Sequence, residues 1–169
     1  VHPVVPGTLV TVPPYVPKPR PPKPAVVGFA PGVFDLFHIG HLNLLRRSRL
    51  ACDFLIAGVL GDDATLEQKG KRPVVPEEER LEIVRACRYV DDVYLERTTD
   101  KLHTWEDVRF DVVYKGDDWV GSPRWEKLAR DFQERGVDVV FLPYTSRTSS
   151  TILRDATGVG EGRPDRDRR

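Results

Sequence analysis

Apolar positions along this chain fall into short β-branched runs separated by segments of helical period. The runs Val26–Ala30, Phe54–Leu60, Val90–Leu95, Val112–Tyr114 and Val137–Leu142 are apolar on both faces rather than alternating. That pattern predicts strands covered on both faces, as in a parallel sheet. Between them lie helical segments at Leu42–Leu50, Glu77–Arg88, a weaker one near Trp105–Val108, and Trp125–Arg135. In the last, Trp125, Leu128, Ala129 and Phe132 repeat at i, i+3, i+4, i+7, a stripe that faces a core. The Glu77 helix has Pro76 at its expected first position and three acids in its first turn, where the helix dipole favours them. Strand and helix alternate, so we expect a doubly wound, Rossmann-like α/β fold. Its five-stranded parallel sheet is expected in the order 3-2-1-4-5 with helices on both faces.

The ends of the chain depart from this pattern. Nine of the 15 prolines fall in residues 1–24, ending in Pro17-Lys18-Pro19-Arg20-Pro21-Pro22-Lys23-Pro24. Proline fixes φ and removes a donor, so polyproline II is the expectation, and 1–24 reads as an arm or linker. Gly158 to Arg169 holds Gly, Pro, Asp and Arg with almost nothing to bury and reads as a disordered tail. The domain is therefore expected over 25–157, within the size of one core in a chain of 169 residues.

Composition narrows the function. The 26 Lys+Arg balance the 26 Asp+Glu to a net charge of +0, against a nucleic-acid binder or a polybasic membrane-surface protein. No apolar run approaches the roughly 18 residues of a spanning helix, and no secretory signal opens the chain. Cys52 and Cys87 form no paired motif, so a reducing cytoplasm is expected.

Doubly wound sheets bind ligands at the carboxyl ends of strands, where the strand order reverses. Three such ends carry unusual chemistry. After the first strand, Gly32, Val33, Phe34, Asp35, Leu36, Phe37, His38, Ile39, Gly40 and His41 run straight into a helix. Glycines allow close approach of the backbone, and the helix N-terminus offers N–H donors and a positive dipole end to a phosphate. His38 and His41, three apart, can both face that ligand. A rival arrangement, a hydrolytic zinc site on Asp35, His38 and His41, lacks a glutamate between the histidines. After the fourth strand, Gly116, Asp117, Asp118 and Trp119 suit an amino group of a base, a flat ring or a magnesium site; a plain turn is the alternative. After the fifth, the hydroxyl-rich run Tyr144, Thr145, Ser146, Arg147, Thr148, Ser149, Ser150, Thr151 reads as an N-cap and a second set of phosphate donors. The long connection Gly61–Val75 adds Lys69, Lys71 and Arg72, and Arg80 and Arg88 border the Leu81, Val84, Cys87 stripe of the next helix.

His38-Ile39-Gly40-His41 in this setting resembles the HxGH signature of the nucleotidyltransferase superfamily, in its cytidylyltransferase branch. The resemblance extends to Lys69-Gly70-Lys71-Arg72-Pro73, Glu79-Arg80, Arg88-Tyr89-Val90-Asp91-Asp92-Val93 and Gly116-Asp117-Asp118-Trp119, spanning Val26 to Asp155. The Gly-Asp-Asp-Trp form is most like that of glycerol-3-phosphate cytidylyltransferases. One position departs: where the family's RTxGxST segment opens on arginine this chain has Tyr144, with Arg147 three residues later. Arg147 reaches the same phosphates from a different place or the role is absent, which leaves ATP open beside CTP.

The resemblance implies transfer of a cytidylyl group from CTP to a small alcohol phosphate, glycerol 3-phosphate first, giving a CDP-alcohol and pyrophosphate. Phosphocholine, phosphoethanolamine or phosphonate acceptors and adenylyl transfer to a sugar phosphate are the alternatives. A nucleotide-binding regulatory module is the non-enzyme alternative. His38, His41, Lys71 and Arg147 would be catalytic. Gly32, Val33, Phe34, Asp35, Gly40, Gly116, Asp118, Trp119, Tyr144, Thr145, Ser149, Ser150 and Thr151 would bind the nucleotide. Lys69, Arg80, Arg88 and Trp105 would meet the acceptor. Mg2+ would arrive with the triphosphate, no resident metal is expected, and a homodimer is implied.

Overall fold

The computed structural model describes residues 15–23, 25–143 and 149–158. The expectations for 1–14, for Tyr144, Thr145 and Arg147, and for the tail from 159 lie outside the described residues. The elements run β1 (Val27–Gly32), α1 (Ile39–Leu50), β2 (Phe54–Leu60), α2 (Asp62–Lys69), α3 (Glu77–Arg85) and β3 (Asp92–Glu96). They continue through α4 (Lys101–Val108), β4 (Val112–Gly116), a 3-10 turn (Asp117–Trp119), α5 (Pro123–Gln133), β5 (Asp138–Leu142) and α6 (Ser150–Thr157). The five strands form one parallel sheet in the order β3-β2-β1-β4-β5, the expected Rossmann-like order.

The unbroken apolar runs arise because alternate residues of one strand feed two cores. Leu55, Ala57 and Val59 of β2 face α1 and α3 with Leu45, Leu81 and Val84. Phe54 and Ile56 of the same strand face the opposite side with Val108, Phe110, Trp125 and Phe132, from α4, α5 and the adjoining turn. Each fully buried side chain of this size stabilises the fold by about 1.5–3 kcal/mol. Gly58 sits where Phe29 crosses β2: a Cβ there would lie 2.2 Å from the Phe29 ring.

Several expectations shift. Gly61–Val75, read as a connection, contains α2, ended by Gly70 in the left-handed region at φ 68°. Its charged composition hides a helix that buries only Ala64 and Thr65. Pro76 is the N-cap of α3 rather than its first residue. β5 is an edge strand with Asp138 and Val140 exposed, because only β4 pairs with it. Val90 lies before β3, in a turn whose Asp91 carboxylate accepts from Leu55 N at 2.8 Å.

The described part of the proline-rich segment straps the amino ends of the strands instead of standing free. Tyr15 donates to Asp92 at 3.1 Å and packs edge-on to Tyr94; Arg20 donates to the Arg109 carbonyl at 2.7 Å; Lys23 pairs with Asp111. This strap lies at the opposite end of the sheet from the strand ends considered next.

Candidate active site

All five strands contribute their carboxyl ends to one crevice of about 300 Å³. Pro31, Gly32 and Val33 enter from β1, Leu60 from β2, Glu96 from β3, Lys115 and Gly116 from β4, and Pro143 follows β5. Two helix N-termini open onto it: Gly40 and His41 of α1, and Ser149, Ser150 and Thr151 at the start of α6. Each presents backbone N–H groups and the positive end of a dipole, a built-in preference for anions.

The loop from β1 to α1 is held in a costly conformation. Phe34 and Leu36 are non-glycine residues at φ 55° and 47°, each worth about 1–3 kcal/mol of strain. Packing compensates: Phe34 is 1% exposed, and its ring meets that of His41 edge-on at 5.3 Å. Gly32 makes room for this ring, since a Cβ there would lie 3.0 Å from it. His38 caps α1, its Nδ1 accepting from Gly40 N at 3.1 Å, while His41 Nδ1 accepts from His38 N at 3.4 Å. Both δ nitrogens therefore act as acceptors, which puts the proton of each neutral ring on Nε2. The rings stack with centroids 3.8 Å apart. Burial, then the charges of His38, Lys69 and Lys115, push His41 down to about 3, against a smaller upward pull from Asp35. Burial also lowers His38. The pair are neutral N–H donors near pH 7.

Asp35 is structural at its carboxylate. Burial would raise its pKa, but Val74 N–H and Val75 N–H at 3.0–3.1 Å and the Arg154 guanidinium hold it below the usual carboxylate range. Its carbonyl accepts from the Ser150 hydroxyl at 2.6 Å. Asp35 thus ties α6 and the segment before α3 to the β1–α1 loop. The ligand set Asp35, His38 and His41 of the hydrolase alternative is not assembled, and no group of three metal-ligating side chains occurs among the described residues.

Other expected residues separate into those at the crevice and those beyond it. Gly32, Val33, Phe34, Asp35, His38, Gly40, His41, Lys69, Gly116, Asp118, Trp119, Ser149, Ser150 and Thr151 line it. Lys71 is exposed on the turn after α2, outside the lining, and Arg72 pairs with Asp63. Arg80 does not face a ligand: it is 0% exposed and donates to the Val75 and Leu60 carbonyls at 2.8 Å, to the Val33 carbonyl and to Asp62 at 2.6 Å. Arg88 is exposed, 5.7 Å over the Tyr89 ring, away from the crevice. Trp105 donates its indole N–H to the Phe110 carbonyl at 3.0 Å and lines a separate hollow beside Arg20 and Arg109, toward the strap. The convergence of cations on one crevice is therefore narrower than the sequence suggested.

Five further charged residues line the crevice that sequence reasoning passed over: Glu96, Lys101, Lys115, Arg124 and Arg154, the last paired with Asp35. Lys115 carried a signal, a lone cation closing the apolar run of β4 just before Gly116. Burial and then Lys101 press its pKa down to about 8, with Glu96 and Asp118 pulling it up. Glu96 closes β3, while Lys101, Arg124 and Arg154 lie in helices whose placement depends on tertiary packing.

The chain matches the model of the cytidylyltransferase-like family over residues 29–156. FAD synthase of Thermococcus kodakarensis is 33% identical over 131 residues, covering 73% of this chain and 87% of that protein. Glycerol-3-phosphate cytidylyltransferase of Bacillus subtilis is 35% identical over 125 residues, covering 73% and 91%. A lipopolysaccharide core biosynthesis protein of Thermoplasma volcanium superposes with a TM-score of 0.61 at 26% identity, over 73% of this chain and 99% of that one. The family match takes in every strand end that builds the crevice, and with it the chain belongs to the cytidylyltransferase-like family, as a nucleotidyltransferase.

Proposed function

We propose that the crevice transfers a cytidylyl group from CTP to a small alcohol phosphate, glycerol 3-phosphate foremost, releasing pyrophosphate. The observation that carries this reading is the meeting of two helix N-termini, one with paired neutral histidines, over the strand ends. An acceptor phosphate has a second pKa of about 6 and is already a dianion near neutrality, so the site needs no general base. The phosphate oxygen attacks the α-phosphorus in line, the bond to the β-phosphate oxygen breaks, and pyrophosphate leaves. The protein supplies positioning and charge stabilisation. His38 and His41 donate Nε2–H to oxygens of the α- and β-phosphates, Lys69 adds a cation at the crevice wall, and the α6 N–H groups take the remaining phosphate oxygens. Lys71, exposed on the turn after α2, is proposed as a further phosphate cation, and Arg147 is proposed for the same role.

Magnesium fits this site as a passenger on the triphosphate. Magnesium is commonly bound by one or two carboxylates together with substrate phosphates. Asp118 lines the crevice and carries the carboxylate for that role, whereas the Asp35 carboxylate is committed to Val74, Val75 and Arg154. The ion would neutralise charge on the transferring phosphates. The face of Trp119 turned away from Lys115 is proposed for the base.

The FAD synthase relatives favour a second reading, adenylyl transfer from ATP to a phosphate acceptor. A pyrophosphate-release screen of CTP and ATP against a panel of phosphomonoesters and phosphonates separates the two. Release with CTP and an alcohol phosphate supports cytidylyl transfer; release with ATP alone supports the second; release with neither favours a binding module. A homodimer working in the cytoplasm completes the reading, and light scattering of the purified protein tests the assembly. Among the described residues no helix is long and apolar enough to cross a membrane.

A further inference from the structure

The inner end of the crevice, at the ends of β3 and β4, holds charged side chains that the histidine machinery leaves unused. Lys101, Lys115 and Arg124 line it with Glu96. Lys101 and Glu96 are buried and paired, and Glu96 Oε2 also accepts from the Thr104 hydroxyl at 3.2 Å. Glu96 Oε1 is buried with no hydrogen-bond partner among the described residues. Lys115 Nζ donates to the Pro31 carbonyl at 3.2 Å and lies 5.0 Å over the Trp119 ring and 5.6 Å over that of Trp125. An ammonium has three donors, so a single long contact leaves capacity for a ligand oxygen. A buried acceptor without a donor, close to a sparsely bonded ammonium, marks a place that a bound molecule completes.

The aromatic pair adds a constraint of sign. Faces of tryptophan are the preferred seats for quaternary and protonated amines. Here Lys115 already occupies both faces' cation position, so an acceptor bearing an amine cation meets a like charge where it would otherwise be welcomed.

We propose that this inner end is the acceptor subsite, and that Lys115 on Trp119 and Trp125 sets its specificity: a small hydroxylated alcohol phosphate is accepted and an amino-alcohol phosphate is rejected. The inference rests on the cytidylyl-transfer reading and deepens it. Lys115 and Lys101 bind the acceptor's phosphate. Glu96 is a positioning residue that holds Lys101 on the wall, and its Oε1 accepts a hydrogen bond from a substrate hydroxyl or from a water that the substrate carries in.

The test is steady-state transfer from CTP to glycerol 3-phosphate, phosphocholine and phosphoethanolamine by the wild type, Lys115→Met and Lys115→Arg, with thermal melts of all three proteins. The wild type should prefer glycerol 3-phosphate. Lys115→Met should raise KM for glycerol 3-phosphate about tenfold or more, leave KM for CTP within about twofold, and raise kcat/KM for the two amino-alcohol phosphates relative to glycerol 3-phosphate. Lys115→Arg, which keeps the charge, should keep the wild-type ranking. An unchanged ranking in a folded Lys115→Met protein, or a wild type that prefers phosphocholine or phosphoethanolamine, overturns the subsite while leaving cytidylyl transfer intact. A wild type that releases pyrophosphate from CTP with none of the three overturns the cytidylyl reading and the subsite with it.

Discussion

His38 and His41 use their δ nitrogens to cap a helix and each other, and this fixes what their ε nitrogens can do. As neutral donors they stabilise charge that develops on phosphate oxygens without surrendering a proton. His41→Ala should therefore lower kcat by about 10²–10³-fold, the usual cost of one preorganised donor, while the thermal midpoint shifts by only a few degrees. Steady-state kinetics with a melt of the same protein check both halves. The buried imidazole also has a pH signature. With a folded pKa of about 3 against about 6.5 unfolded, His41 binds fewer protons in the native state between those values. Stability is thus unaffected above about 6.5 and falls as pH drops below it, levelling near 3. Unfolding free energies from urea titrations at pH 7.5 and 5 should differ by about 1–2 kcal/mol more in the wild type than in His41→Asn. The histidines were legible from spacing and a Gly-rich turn. Arg80 was not, because spacing cannot distinguish an arginine that borders a stripe from one that turns inward to four backbone and side-chain acceptors.

At the scale of elements, the β1–α1 loop is the structure on which the site depends. Its two left-handed residues are strained, and Asp35 anchors it to the Val74–Val75 backbone and to Arg154 of α6. Asp35→Ala removes one partner of a buried ion pair and leaves two amides without an acceptor. That should cost about 3–5 kcal/mol in denaturant unfolding and lower kcat/KM by releasing α6 from the crevice; Asp35→Asn, which can still accept from the amides, should cost less in unfolding. The central strands were readable because β1 and β2 feed two cores, so their residues are apolar with little interruption. α2 was not, because it buries only two residues and its charged surface looks like a loop. The exposure of β5 was hidden for the opposite reason: its apolar residues suggest burial, yet at the expected edge of the sheet Asp138 and Val140 are exposed.

Across the whole molecule, a balanced charge of +0 conceals separation of labour. Lys69, Lys101, Lys115 and Arg124 line the crevice, while Arg80, Arg72 and Lys23 serve internal pairs or the strap. The order β3-β2-β1-β4-β5 brings the β1 and β4 ends side by side at the reversal, which is why motifs more than 70 residues apart in sequence share one cavity. The topology and the histidine half of the site follow from pattern and motif. The inner cationic end does not, since Lys101 and Arg124 reach the crevice only through the packing of α4 and α5 against the sheet. The most direct test of the central claim uses CTP labelled at the α-phosphate, incubated with glycerol 3-phosphate, magnesium and the protein. Label is expected in CDP-glycerol with one pyrophosphate released per transfer. No transfer of label, or product formation only when ATP replaces CTP, would contradict it.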